Sequence, residues 1–127
     1  MQSVDLKRVL VVDDEPNILV PIVFLMTQQG YKVEQARNGK EALERMATYQ
    51  PHLVILDVMM PEMDGLETAR HIRHDQRYQD TQIIFLTAKG TEQDKRQGYA
   101  IGGEVYLTKP FDNDELVHTV NELLQFG

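Results

Sequence analysis

The 127-residue sequence contains no cysteine. That excludes a disulfide framework and any thiol chemistry, and it fits a reducing compartment. Positive charge is also scarce, with 13 Lys and Arg against 20 Asp and Glu and a formal net charge of -7. Gripping nucleic acid takes a basic surface, so this balance argues against direct nucleic-acid binding. No apolar run approaches the length of a membrane span. The opening Met1-Gln2-Ser3-Val4-Asp5 lacks the charged start and apolar stretch of a signal peptide. A cytoplasmic location with no membrane partner is therefore expected. No linker, repeat or low-complexity stretch interrupts the chain, so residues 1–127 read as one domain, large enough to bury a core. Hydrophobic residues at 42% and charged residues at 26% suit a globular protein.

What the sequence does have is a series of short apolar runs that end in reactive groups. Arg8-Val9-Leu10-Val11-Val12 leads into Asp13-Asp14-Glu15. Leu53-Val54-Ile55-Leu56 leads into Asp57, and is bounded by Pro51 before it and by Pro61 and Asp64-Gly65 after it. Gln82-Ile83-Ile84-Phe85-Leu86 ends in Thr87-Ala88, and Val105-Tyr106-Leu107-Thr108 ends in Lys109-Pro110. Continuous apolar runs of this length mark strands buried on both faces of a parallel sheet. In open α/β sheets the binding site lies beyond the carboxyl ends of the strands. Three carboxylates, a hydroxyl and an ammonium would then share one edge. Each also has an ordinary explanation. Asp14 or Glu15 favours the start of a helix, Thr87 suits a strand, and Lys109 is at home in solvent. Four such coincidences at four strand ends weigh in favour of a shared site.

Helical patterns separate the strands. The first begins at Asp14-Glu15-Pro16, with proline where its missing N–H costs nothing, and Gly30 is its expected left-handed cap. Pro21 should kink it or loosen its first turns. Tyr31 to Ala36 alternates weakly and reads as an edge strand. Asn38 with Glu41, Asp64 with Glu67, and Asp112 with Glu115 are three capping-box-like pairs that open the second, third and last helices. His71 and His74 lack a third ligand and read as solvated. Asp75 to Thr81 is a polar loop. The fourth helix, near Thr91 to Ala100, offers almost nothing apolar to bury and carries Gly98, so mobility is expected there. Five strands alternating with five helices predict an α/β domain with a parallel sheet covered on both faces.

Taken together, Asp13-Asp14, Asp57 with Met59-Met60-Pro61-x-Met63-Asp64-Gly65, Thr87-Ala88 and Tyr106-Leu107-Thr108-Lys109-Pro110-Phe111 resemble the receiver domain of two-component response regulators, chemotaxis regulators included. The resemblance runs from about Lys7 to Leu124. It implies a flavodoxin-like, doubly wound five-stranded sheet in the order 2-1-3-4-5. It also implies a phosphorylation-switched signalling module that takes a phosphoryl group on Asp57 from a histidine kinase or phosphotransfer protein. Mg2+ would be bound by Asp14, Asp57 and the main-chain carbonyl of Met59, with Asp13 acting through water. Clustered hard oxygens suit such an ion. Lys109, Thr87 and the Ala88 amide would contact the phosphoryl oxygens, and Tyr106 would rotate into space that Thr87 vacates. The Lys109–Pro110 peptide should be cis, and the face formed by helix 4, strand 5 and helix 5 should bind an output partner or pair two copies. Such a module catalyses only its own phosphorylation and dephosphorylation.

The pattern departs from the family in two places. Ala100-Ile101-Gly102-Gly103-Glu104 stands where Gly-Ala followed by acids or amides is more usual, so the entry to the fifth strand should be looser. Met59 and Lys89 occupy positions that in the family adjust acyl-phosphate lifetime. Two other classes compete. A Mg2+-dependent phosphatase using Asp57 as nucleophile, of the haloacid-dehalogenase kind, needs a second acid two residues on, where Met59 stands. A flavin-binding flavodoxin-like protein needs a phosphate loop where Asp13-Asp14-Glu15 would repel the cofactor.

Overall fold

The structure, a computed structural model, describes residues 6–88, 96 and 99–126. Five strands, β1 (Arg8–Val12), β2 (Lys32–Ala36), β3 (Leu53–Asp57), β4 (Gln82–Thr87) and β5 (Val105–Thr108), form one sheet in the order β2-β1-β3-β4-β5. Every pairing is parallel. The register aligns Val12 with Leu56, Asp57 with Leu86, and Thr87 with Thr108, so the strand ends reach a common edge.

Between the strands lie α1 (Pro16–Gln28), α2 (Gly39–Tyr49) and α3 (Gly65–His74), followed by a 3-10 turn at Gln76–Tyr78 inside the expected polar loop. Arg96 and residues 99–101 are helical and belong to α4, and α5 spans Asn113–Phe126. Most of the weak segment expected from Thr91 to Ala100 lies outside the described residues, as does Lys89. Among the described residues no helix is long and apolar enough to cross a membrane.

Alternate residues of each central strand feed two separate cores. Leu10, Val12, Val54, Leu56, Ile83 and Phe85 pack with Ala42, Met46, Leu66, Ala69 and Ile72 on the α2–α3 face. Val9, Val11, Leu53, Ile55, Ile84 and Leu86 pack with Leu19, Ile22, Met26, Leu116 and Val120 on the α1–α5 face. All five residues of β3 are buried, whereas β2 exposes Lys32, Glu34 and Gln35 as an edge strand does.

The caps follow their local sequence. Asn38 accepts the Glu41 N–H at 2.8 Å, and Asp64 accepts the Glu67 N–H at the same distance. Gly30, with φ +92, closes α1 through its N–H to the Thr27 carbonyl and that of Tyr31 to the Met26 carbonyl. Pro21 does not break the helix, since α1 runs unbroken past it to Gln28. α1 carries no charged residue, and it leaves Val20 and Phe24 exposed while burying Leu19, Ile22 and Met26.

Candidate functional site

The end of a strand places each candidate side chain. Beyond β1, the Asp13 N–H donates to the Ala36 carbonyl (3.1 Å), which sets the buried carboxylate under the sheet edge. Its Oδ1 accepts the Glu15 N–H (2.9 Å) and its Oδ2 lies 3.2 Å from Lys109 Nζ. Both Asp13 oxygens are thus engaged by protein groups. Asp14 is half-buried, and its Oδ1 is sheltered from solvent without a hydrogen-bond partner. The N-cap of α1 is Glu15, which makes no side-chain capping bond.

Asp57 ends β3 and is 3% exposed. The Val58 N–H donates to the Leu86 carbonyl and the Gly65 N–H donates to the Val58 carbonyl, each at 2.9 Å. A Cβ on Gly65 would collide with the Asp57 carbonyl, so only glycine lets α3 start this close to the strand end. Asp57 Oδ1 lies 3.3 Å from Lys109 Nζ and 3.4 Å from the Met59 N–H. Met59 itself is exposed. Thr87 is buried at the end of β4, and its carbonyl accepts the Lys109 N–H at 2.7 Å. Ala88 follows on the surface. The Lys109–Pro110 peptide is cis, as the resemblance implied.

The charges within this edge are unevenly balanced. Burial, reinforced by the Asp13 carboxylate, pushes the Asp57 carboxyl up to about 6, and Lys109 opposes that rise. Burial alone would lower the Lys109 ammonium, but Asp57 and Asp13 outweigh it and hold the pKa above the usual lysine value. One cation therefore serves two buried acids, and the edge retains an excess of negative charge.

A divalent hard cation fits that excess. One carboxylate oxygen from each of Asp13, Asp14 and Asp57 falls in a group whose members all lie within 4.8 Å of one another. The unpartnered Asp14 Oδ1 is a buried acceptor that a cation would satisfy. His71 and His74 are both exposed, and among the described residues the three aspartates are the grouping suited to a metal.

Tyr106 lies on β5, largely buried, with its ring centroid 5.6 Å from Phe85 and 6.4 Å from Tyr99. Its ring is already largely buried beside Phe85. Sequence reasoning overlooked a groove of about 460 Å³ beside Lys109, lined by Asn17, Ile18, Pro21, Ile22, Pro110 and Phe111 among others. The unusual apolar character of α1 was the available signal.

The sequence matches the family described as response regulator receiver domain over residues 9–121. It is 42% identical over 116 residues to response regulator Rre1 of Synechocystis, covering 91% of this chain and 50% of that protein. It is 40% identical over 119 residues to the alkaline phosphatase synthesis transcriptional regulatory protein PhoP of Bacillus subtilis, covering 94% and 49%. The chain thus spans about half the length of these curated relatives. The chemotaxis protein CheY4 of Vibrio cholerae superposes with a TM-score of 0.89 at 33% identity, covering 94% of this chain and 99% of that one. These relatives are response regulators, so the comparisons lend nothing to the phosphatase alternative, and Met59 stands where its second acid would be needed. A parallel sheet in the order β2-β1-β3-β4-β5, an aspartate cluster crossed by one lysine, and a family match across most of the length converge, and the chain belongs to the response regulator receiver domains of two-component signalling.

Proposed function

We propose that Asp57 is the phosphoacceptor and that a histidine kinase or phosphotransfer protein is the donor. The observation that carries this reading is a nearly buried carboxylate held 3.3 Å from an ammonium, in a group of three acids. A carboxylate oxygen of Asp57 attacks phosphorus, the bond from phosphorus to the donor nitrogen breaks, and the imidazole leaves with the electron pair. Phosphoryl transfer depends mainly on positioning and charge neutralisation. Lys109 supplies part of that charge, while the Thr87 hydroxyl and the Ala88 amide hydrogen-bond the remaining oxygens. Asp14, Asp57 and the Met59 carbonyl, with Asp13 through water, would hold Mg2+, which would supply the rest of the positive charge. The acyl phosphate then biases Thr87 and Tyr106, and through them the α4–β5–α5 face. That face controls an output partner or pairs two copies.

On this reading the chain is a single cytoplasmic receiver that catalyses only its own phosphorylation and dephosphorylation. Its acidic balance, 20 acids against 13 bases, supports an output reached through protein contact rather than through direct binding of nucleic acid by these residues. The metal requirement tests the chemistry. Labelling by acetyl phosphate should fall to background in EDTA and return when Mg2+ is added in excess. Full labelling in EDTA would remove Mg2+ from the reading.

Access to the site suggests a docking surface for the donor. Val20 and Phe24 stand exposed on α1, the helix that lines one side of the groove beside Lys109. Burial of one large aromatic side chain is a common source of interface affinity. Phe24→Glu should therefore slow transfer from a phosphorylated histidine protein by roughly tenfold or more, since 1.4 kcal/mol is already tenfold. Labelling by acetyl phosphate should stay unchanged, because the reacting groups are intact. Equal losses with both donors would mean that the substitution damages the fold rather than the docking.

A further inference from the structure

Arg73, in the last turn of α3, spends its guanidinium on residues far along the chain. Nε and Nη2 donate to the Gly102 carbonyl at 3.2 and 2.7 Å. Nη1 donates to the Thr81 carbonyl at 2.6 Å and to the Tyr78 carbonyl at 3.3 Å. Nη2 also reaches the Glu104 carboxylate at 3.1 Å. Glu104 in turn accepts the Ile83 N–H with its side chain at 2.5 Å and donates its own N–H to the Ile83 carbonyl at 2.9 Å. One arginine thereby ties together α3, the 3-10 turn, the start of β4 and the junction between α4 and β5. That junction was expected to be loose, and the structure pins it instead.

Gly102 is built for this contact. Its φ of +113 suits glycine, its N–H closes α4 on the Tyr99 carbonyl (3.1 Å), and a Cβ there would come within 2.9 Å of Arg73 Nε. The two ends of the segment therefore differ in what it takes to move them. Shifting the junction would part the partly buried Gly102 carbonyl and the Glu104 carboxylate from the Arg73 guanidinium, two contacts that are costly to lose together. Arg96, Tyr99 and Ala100 of α4 are exposed and more easily displaced.

We propose that Arg73 and Glu104 form the fixed pivot of the output face, so that α4 turns about Gly102 when the site is phosphorylated. The inference rests on the reading of α4–β5–α5 as that face. Bonds kept in both states favour neither state, but they set the axis of the motion. Arg73 is thus a positioning residue, remote from the reacting atoms.

Hydrogen exchange on the whole chain, with and without beryllofluoride as phosphoryl mimic, tests the pivot. Amides of residues 102–105 should exchange alike in the two states, while those of Arg96 and residues 99–101 change at least tenfold. In Arg73→Ala the beryllofluoride-dependent change should spread into 102–105, and Arg73→Lys, which keeps a donor for the Gly102 carbonyl, should confine it again. Should Arg73→Ala fail to fold, Glu104→Gln carries the same comparison. A merely stabilising arginine would raise exchange equally with and without the mimic, and that result would overturn the proposal. So would native amides at 102–105 that change as much as those of Arg96 and residues 99–101, although the output-face reading would survive. A response confined to α1 and α2 would instead overturn the output face itself.

Discussion

Asp57→Asn should reduce labelling by acetyl phosphate by at least about a thousandfold, because the substituted amide offers no anionic oxygen to form an acyl phosphate. The fold should tolerate the change. Asparagine nearly matches aspartate in shape, and the strand that carries the residue is held by parallel pairing to β1 and β4. Two other acids stand close by, so the position of any residual label is informative. Peptide mapping of intact and substituted protein would show it. Undiminished labelling, or a label that maps to Asp13 or Asp14 in the native chain, would move the acceptor away from Asp57. Lys109→Ala offers a graded comparison, since it removes a neutralising charge while leaving the nucleophile in place.

The same substitution should make the metal-free protein more stable above pH 6. Burial first, and then the Asp13 charge, raise the Asp57 carboxyl from 3.8 to about 6 in the folded protein. Between those values the folded chain holds a proton that the unfolded chain has released, so stability falls as pH rises through the window and levels off above it. A difference of about two pKa units corresponds to about 3 kcal/mol of destabilisation at neutral pH. Asp57→Asn carries no charge there and should remove most of that cost. Urea denaturation in EDTA at several pH values checks the sign. The two midpoints should meet near pH 4 and separate by pH 7, with the variant the more stable. Added Mg2+ should then narrow the gap by stabilising the unsubstituted chain more than the variant, which lacks one of the acids that would hold the ion. Parallel curves from pH 4 to 7 would mean that Asp57 ionises in the folded protein as it does in the unfolded chain.

The local pattern of the chain carried most of the architecture. Apolar runs such as Leu53 to Leu56 become fully buried strands because both faces of a parallel sheet need apolar cover. Asn38 and Asp64 cap their helices through bonds to residues three positions on, a distance that sequence alone specifies. The weak alternation of β2 likewise placed it at an edge. Even the grouping of Asp13, Asp14, Asp57, Thr87 and Lys109 was legible, because each sits at or just past the end of a strand, and parallel strands bring such ends together.

The pairing of those groups was not legible. Lys109 meets Asp13 across 96 positions and Asp57 across 52, distances that close only when β5 docks on β4 and β1 on β3. Nothing in Asp13-Asp14 says which acid turns inward. Asp13 does, because the Glu15 N–H and Lys109 satisfy both of its oxygens, and Asp14 is left half-buried with a sheltered oxygen. The raised carboxyl of Asp57 has the same origin, since burial is a property of the assembled sheet rather than of neighbours in sequence. Arg73 gave no signal either. An arginine in the last turn of a helix ordinarily reads as solvated, and its carbonyl partners at Thr81 and Gly102 carry no side-chain signature. Side-chain chemistry and local periodicity are written residue by residue. Partners, burial and charge balance arise only when distant segments exclude water together.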